Sequence, residues 1–284
     1  MISVLQPGFY TTIQDLGRKE YQHLGVPISG AMDHDAAKMA NAILGNAEYC
    51  AVLEITMVGP KLQFDCDTVV SITGANLSPN LNGSVINSYA AININKGDVL
   101  SFGKPIKGFR TYLAVSEGFQ TEYVLNSRSM YNNITQTSQL QKGEILKIIP
   151  KMRTSNKFSS IKSNSDYLDN QTIIVFKGPE FEYLNEAQID QLFSNLFTIS
   201  KENNRMAYQL DEMLENSLDE IITSFVFPGT IQLTPSGKLI VLMRDCQTTG
   251  GYPRVLQLSE ASINLLAQKM TGDKIRFKLQ NYNI

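Results

Sequence analysis

Short stretches in which apolar and polar residues alternate recur along the first half of the chain, at 52–56, 59–64, 68–73, 85–86, 91–94, 98–102, 111–115 and 144–148. Each is bounded by Gly, Asn or Pro, so the pattern predicts short antiparallel strands rather than helices. So many strands predict a closed or nearly closed barrel, because closure removes exposed edges. Helical spacing is confined to a few places. Ala36, Met39, Ala40, Ile43 and Leu44 share a face between Asp33, a good N-cap, and Gly45-Asn46, a good stop. Ile189, Leu192, Phe193 and Leu196 share another after Asn185, and a third helix is expected from Ser259 to Met270, closed by Gly272.

The pattern then repeats. Residues 176–183 echo 58–64, residues 229–233 echo 97–101, and residues 272–277 echo 143–148, in the same order. Three ordered echoes predict a duplicated β domain. Between the copies, residues 151–170 are poor in apolar side chains and rich in Ser, Lys and Asn, as in a linker. The expected organisation is therefore a first β domain over 1–150, whose N-terminal segment can pack on the second, a linker over 151–170, and a second β domain over 171–284. The fold expected is mostly β with a few helices.

One stretch departs from strand chemistry at a strand's end. After the apolar run 239–243 and Arg244-Asp245 comes Gln247-Thr248-Thr249-Gly250-Gly251-Tyr252-Pro253-Arg254. Its two glycines permit positive φ and its hydroxyls, amide and backbone N–H groups can hold a small polar or anionic ligand, with Asp245 and Arg254 bracketing it by opposite charge. An ordinary tight loop explains these eight residues equally well. The N-terminal cluster Thr11-Thr12-Ile13-Gln14-Asp15-Leu16-Gly17-Arg18 is of the same type.

Composition narrows the function classes. The chain has 284 residues, 43% hydrophobic and 18% charged, with a formal net charge of −2 and no long basic run. That gives no electrostatic reason to expect nucleic acid or an anionic membrane. No apolar run reaches the length of a membrane span and the N-terminus lacks a signal-peptide pattern, so a cytoplasmic protein is expected. The three cysteines, Cys50, Cys66 and Cys246, form no Cys-x-x-Cys pair and fit a reducing compartment. Cys246 has no histidine nearby to activate it. With only His23 and His34, a metal site built on several imidazoles is excluded.

Read together, these stretches resemble the biotin-dependent carboxyltransferase, or allophanate hydrolase subunit 2, family. The resemblance rests on Pro7-Gly8, residues 11–18, Gly25-Val26-Pro27, Ser29 through Asp33, Leu53-Glu54, Gly59-Pro60, Thr73-Gly74-Ala75-Asn76, residues 110–115, Asn204-Arg205-Met206, Pro228 through Gln232, and Asp245 with Gln247 through Pro253. It implies two cyclophilin-like β barrels and a homologous partner subunit. The chain departs from the family pattern at Ser116-Glu117, where paired glycines are usual, at Ala207 and Gln209, where glycine and arginine are usual, and near Thr234-Pro235, where a second proline is usual.

The activity implied is that of ATP-dependent 5-oxoprolinase, which opens a lactam to glutamate with a homologous partner of the B type and a ring-opening partner of the A type. Hydrolysis of an unstrained amide is nearly neutral, so coupling to ATP, with Mg²⁺, is chemically sensible. On this reading Arg18, Arg205 and Arg254 stabilise charge, Asp15 and Asp245 serve as base or Mg²⁺ contacts, and Asn76 with Gln247, Thr248, Thr249, Gly250, Gly251 and Tyr252 faces the substrate. No Walker-type phosphate loop is present. Two alternatives carry different chemistry: carboxyl transfer to urea or a related amide, and a non-catalytic protein that sequesters a regulatory partner.

Overall fold

The computed structural model describes residues 1–150 and 165–281, and it is mostly β with three α-helices among them. The chain divides into two compact units, 1–18 with 29–168 and 19–28 with 169–284. Most of the linker expected over 151–170 lies outside the described residues, but its last part is built: a 3-10 turn, Ser165–Asp169, in which Tyr167 donates its hydroxyl proton to Asp33 across 2.9 Å. The first unit therefore runs past the expected boundary at 150. An N-terminal segment, 19–28, groups with the second unit.

The first unit holds β1 (Ile2–Gln6), β2 (Tyr10–Gln14), α1 (His34–Leu44), β3 (Val52–Thr56), β4 (Lys61–Phe64), β5 (Thr68–Asn76), β6 (Asn80–Leu81), β7 (Ser84–Val85), β8 (Ile92–Ile94), β9 (Val99–Ser101), β10 (Lys107–Val115) and β11 (Ile145–Leu146). They form two antiparallel sheets, ordered β11-β1-β4-β9-β6-β7 and β2-β3-β10-β5-β8. Ile2, Val4, Leu62 and Phe64 from the first sheet meet Ile13, Leu53, Ile72 and Leu113 from the second in one buried core. Each such side chain contributes about 1.5–3 kcal/mol by leaving water.

The second sheet is covered on its other face as well, which is why β5 is buried along eight successive residues rather than at every other one. There α1 packs its alanine stripe, Ala36, Ala37 and Ala40, against Val52, Val69, Tyr112 and Ala114. Asp33 caps the helix by accepting from the Ala36 N–H at 3.0 Å, and Gly45 ends it at φ 69°, as its sequence predicts. Ser71 and Thr73 donate their hydroxyls to the Ala40 and Ala36 carbonyls, so the sheet also fixes where the helix lies along it.

The second unit holds β12 (Thr172–Lys177), α2 (Glu186–Ser194), β13 (Phe197–Asn203), β14 (Ala207–Met213), β15 (Ser224–Phe225), β16 (Thr230–Leu233), β17 (Lys238–Leu242), β18 (Thr249–Gly250), β19 (Arg254–Leu258), α3 (Glu260–Leu266) and β20 (Lys274–Leu279). Seven strands close a barrel in the order β12-β19-β16-β17-β14-β13-β20, with β12 and β20 parallel and the other pairs antiparallel. Tyr208, Leu210, Ile231, Leu233, Leu239 and Val241 are fully or almost fully buried along the alternate positions that face inward. Asn185 and Gln188 form a reciprocal capping box on α2, and Ser259 caps α3. Both helices are shorter than their apolar spacing predicts: α2 stops before Leu196 and α3 at Leu266.

Candidate functional site

The register of the barrel strands builds a small concave site on the outer face of the second unit. Gln209 and Gln232 both pair with Ile240, and Ala207 pairs with Leu242, so these residues share the face opposite the inward row. They line a cavity of about 320 Å³, together with Lys201, Asn203, Asn204, Gln247 and Tyr252. Its floor is apolar, from Ile240, Leu242 and Ala207, which pack on Val226 and Cys246. Its walls are mostly carboxamides, with Lys201 and Glu202 adding one charge of each sign.

The orientation of those carboxamides follows from one unambiguous acceptor. The Tyr252 carbonyl accepts from Gln232 Nε2 at 3.4 Å, which directs Gln232 Oε1 toward Gln247 Nε2, also at 3.4 Å. Gln247 Oε1 is then left buried with no hydrogen-bond partner. A buried, unsatisfied acceptor of this kind is a costly group that a donor would satisfy. Gln232 itself is 1% exposed, so the wall is fixed rather than floppy.

The two loop glycines do something other than what their sequence predicts. Neither Gly250 nor Gly251 has a positive φ. Gly250 lies under Gln232: a Cβ there would come 2.5 Å from Gln232 Nε2. The stretch is not an open cradle either. Thr249 and Gly250 form β18 and pair with β15, while Val226 N–H bonds to the Thr248 carbonyl and Ile221 N–H to that of Gly251. Of the expected ligand-facing residues in this stretch, Gln247 and Tyr252 line the cavity; Thr248, Thr249, Gly250 and Gly251 do not.

The bracketing charges expected there are each already neutralised. Asp245 receives Arg205 in a fork, Nε to Oδ2 at 2.8 Å and Nη2 to Oδ1 at 3.0 Å, and its N–H bonds to the Arg205 carbonyl at 2.9 Å. This buried pair ties the 204–206 turn to the 243–246 turn and stays outside the cavity lining. Arg254 forks onto Glu180 at 2.8 and 2.9 Å, and the guanidinium holds the Glu180 carboxyl below its usual range. Burial, with Asp245 beside it, pushes the Cys246 thiol up to about 12, so it is no nucleophile at neutral pH.

In the first unit, Asp15 is likewise occupied. Its carboxylate accepts from Gly17 N–H, the Ser127 and Ser129 hydroxyls and Arg128 N–H, at 2.6–2.8 Å. Four donors leave it little capacity to act as a base or a Mg²⁺ ligand. Arg18, fully buried, donates to the Ser129 carbonyl. Asn76 sits at the exposed end of β5, accepting from Ser78 N–H at 2.9 Å, and shares no partner with Asp15 or Arg18 among the hydrogen bonds described. Among the described residues no group of three or more His, Cys, Asp or Glu side chains could hold a metal ion.

Sequence reasoning missed Lys201, Asn203 and Gln232 as cavity residues. Gln232 had a signal, being the lone amide between two core positions, Ile231 and Leu233, of a strand. Lys201 and Asn203, on a strand end near a hairpin, had none.

Comparison with known proteins places the chain. The family model for the carboxyltransferase domain, subdomain A and B, matches residues 24–279. The chain is 31% identical over 283 residues to the C subunit of 5-oxoprolinase from Escherichia coli, covering 98% of this chain and 90% of that one. It is also 31% identical to the corresponding C subunit from Haemophilus influenzae, over 98% of this chain and 91% of that one. Among solved structures it superposes on TTHA0988 with a TM-score of 0.88 at 26% identity, covering 98% of this chain and 55% of that one. On the Kluyveromyces lactis urea amidolyase the TM-score is 0.86 at 29% identity, with 97% of this chain matched to 18% of the larger protein. No helix among the described residues is long and apolar enough to cross a membrane.

Proposed function

This chain belongs to the carboxyltransferase subdomain A and B family, and from that premise we propose that it is one component of a cytoplasmic, ATP-dependent 5-oxoprolinase. The observation that carries the reading is the carboxamide-walled cavity in a chain that aligns almost end to end with the 5-oxoprolinase C subunit. A lactam presents one N–H donor and one C=O acceptor side by side. Gln232 and Gln247 present the complementary pair, and Gln247 Oε1 needs a donor. Lys201 lines the cavity beside Glu202 and forms no ion pair among the described residues, so it can hold the substrate carboxylate.

The chain's part in the reaction is recognition of the amide. Asp15 and Asp245 have their carboxylates filled by other donors, so ATP with Mg²⁺ is handled together with a homologous partner of the B type, and ring opening with a partner of the A type. Mixing the purified components and measuring 5-oxoproline-dependent ATP turnover tests this. Turnover is expected only in the mixture, lowered at least about tenfold by Gln232→Leu, which deletes hydrogen bonds at the wall. Robust turnover by this chain alone, or urea-dependent turnover in place of 5-oxoproline-dependent turnover, would overturn the reading.

A further inference from the structure

A second cavity, of about 710 Å³, lies in the first unit between residues 120 and 147. We propose that it is a binding site for the oxyanion group, phosphate or carboxylate, of a small molecule, and that Arg128 is its anchor. The inference is independent of the activity proposed above.

Arg128 differs from the arginines that have found a carboxylate. Arg110, Arg205, Arg244 and Arg254 each face a glutamate or aspartate. The Arg128 guanidinium instead donates to the Thr121 carbonyl and to Gln120 Oε1 at 3.2 Å, and lies 5.2 Å above the Tyr123 ring centroid. All three contacts fix its plane, and none cancels its charge. An immobilised guanidinium with donors to spare on a concave wall is what binds an oxyanion with two parallel hydrogen bonds.

The backbone beneath it is fixed by the N-terminal motif. Asp15 accepts from Arg128 N–H at 2.6 Å, Arg18 donates to the Ser129 carbonyl, and Gln14 Nε2 donates to the Met130 carbonyl at 3.3 Å. Met130 N–H bonds in turn to the Ile13 carbonyl at 2.8 Å. Four successive contacts from 13–18 thus hold the 128–130 segment, and Asp15 and Arg18 act here as positioning residues. The other charges on the lining balance, two lysines against two glutamates, so the net charge of the wall is the one that Arg128 carries. Lys142 and Lys147 are exposed and have no acidic partner among the described residues. Glu122 and Glu144 each commit an oxygen to a loop N–H, of Gln136 and Gln141, at 2.9 Å. A volume of this size falls in the range of small-molecule sites, larger than a bare ion needs.

Calorimetric titration of the full chain with inorganic pyrophosphate and, separately, with succinate tests the site. Saturable binding of at least one probe is expected, weakened roughly tenfold or more by Arg128→Gln and falling with added salt. Because Arg128→Gln also removes bonds that order the loop, the double variant Lys142→Glu/Lys147→Glu, on exposed side chains, provides a second reading with an unchanged melting temperature. Binding of pyrophosphate alone assigns a phosphate group, and of succinate alone a carboxylate. No saturable binding of either probe, or equal binding by the parent and both variants, would overturn the proposal.

Discussion

In the first unit, Asp15 faces two serine hydroxyls and two backbone amides while Arg128, whose own N–H is among those amides, turns its guanidinium to a carbonyl and a glutamine. In the second, Asp245 and Arg205 face each other, and so do Glu180 and Arg254. The residue types are the same and the outcome opposite. An aspartate satisfied by neutral donors leaves a nearby arginine's charge available to a ligand, whereas a direct ion pair cancels both charges and serves to tie turns together. The chemistry left in the second unit's cavity is accordingly that of neutral amides with one lysine and one glutamate at the rim strand, Lys201 and Glu202.

The comparison breaks most visibly at Arg205 and Asp245. Both are buried, so removing one partner strands the other's charge, and Arg205→Met is expected to cost about 3–5 kcal/mol of stability. Arg205→Met combined with Asp245→Leu is expected to recover most of that loss, because no buried charge remains. Urea denaturation of the two single variants and the double variant reads this directly. A single-variant cost under about 1 kcal/mol would mean that the pair does not clamp the turns.

Asp15→Asn probes the other arrangement. The amide keeps one oxygen but places an N–H₂ where donors converge, so about 2–3 kcal/mol is expected to be lost. Oxyanion binding at the Arg128 cavity should weaken as well, although Asp15 does not line it. Loss of stability with probe affinity unchanged would uncouple Asp15 from that cavity.

Strands and caps were legible because their signals are local. Alternation at 52–56 or 111–115, Asp33 before an alanine stripe, and Gly97, Gly143, Gly229 and Gly272 at positive φ before strands all declare themselves within a few residues. Two of the three internal echoes fall on this glycine-then-strand unit. Charge partners were not legible, since Asp15 meets Ser127 across 112 residues and Arg254 meets Glu180 across 74. The two-residue strands β15 and β18 carry no periodicity, so a ribbon read as a loop. Gly250 was visible as a special position, but its reason, the Gln232 side chain above it, depends on strand register. Glu117 shows the converse: it holds φ 64° where the family pattern has glycine, a constraint that the chain meets with a non-glycine residue.

The smallest effect sharpens the comparison by its pH dependence. The Arg254 guanidinium, by its hydrogen bonds and charge, keeps Glu180 ionised to lower pH than an ordinary glutamate. A carboxyl whose pKa is lowered on folding stabilises the protein above its unfolded pKa, about 4.3, and loses that contribution as pH falls through its lower folded value. Glu180→Gln removes the charge while keeping an acceptor, and because the Arg254 side chain is 17% exposed the difference at pH 7 is expected to be only about 1 kcal/mol. Stability curves of parent and variant from pH 7 to about 3 should therefore converge below pH 4.3, with the gap closing from the parent's side. A gap that stays constant across that range would show that the fork acts through packing alone, and the contrast between cancelled and available charge would then rest on Arg205 and Asp245 only.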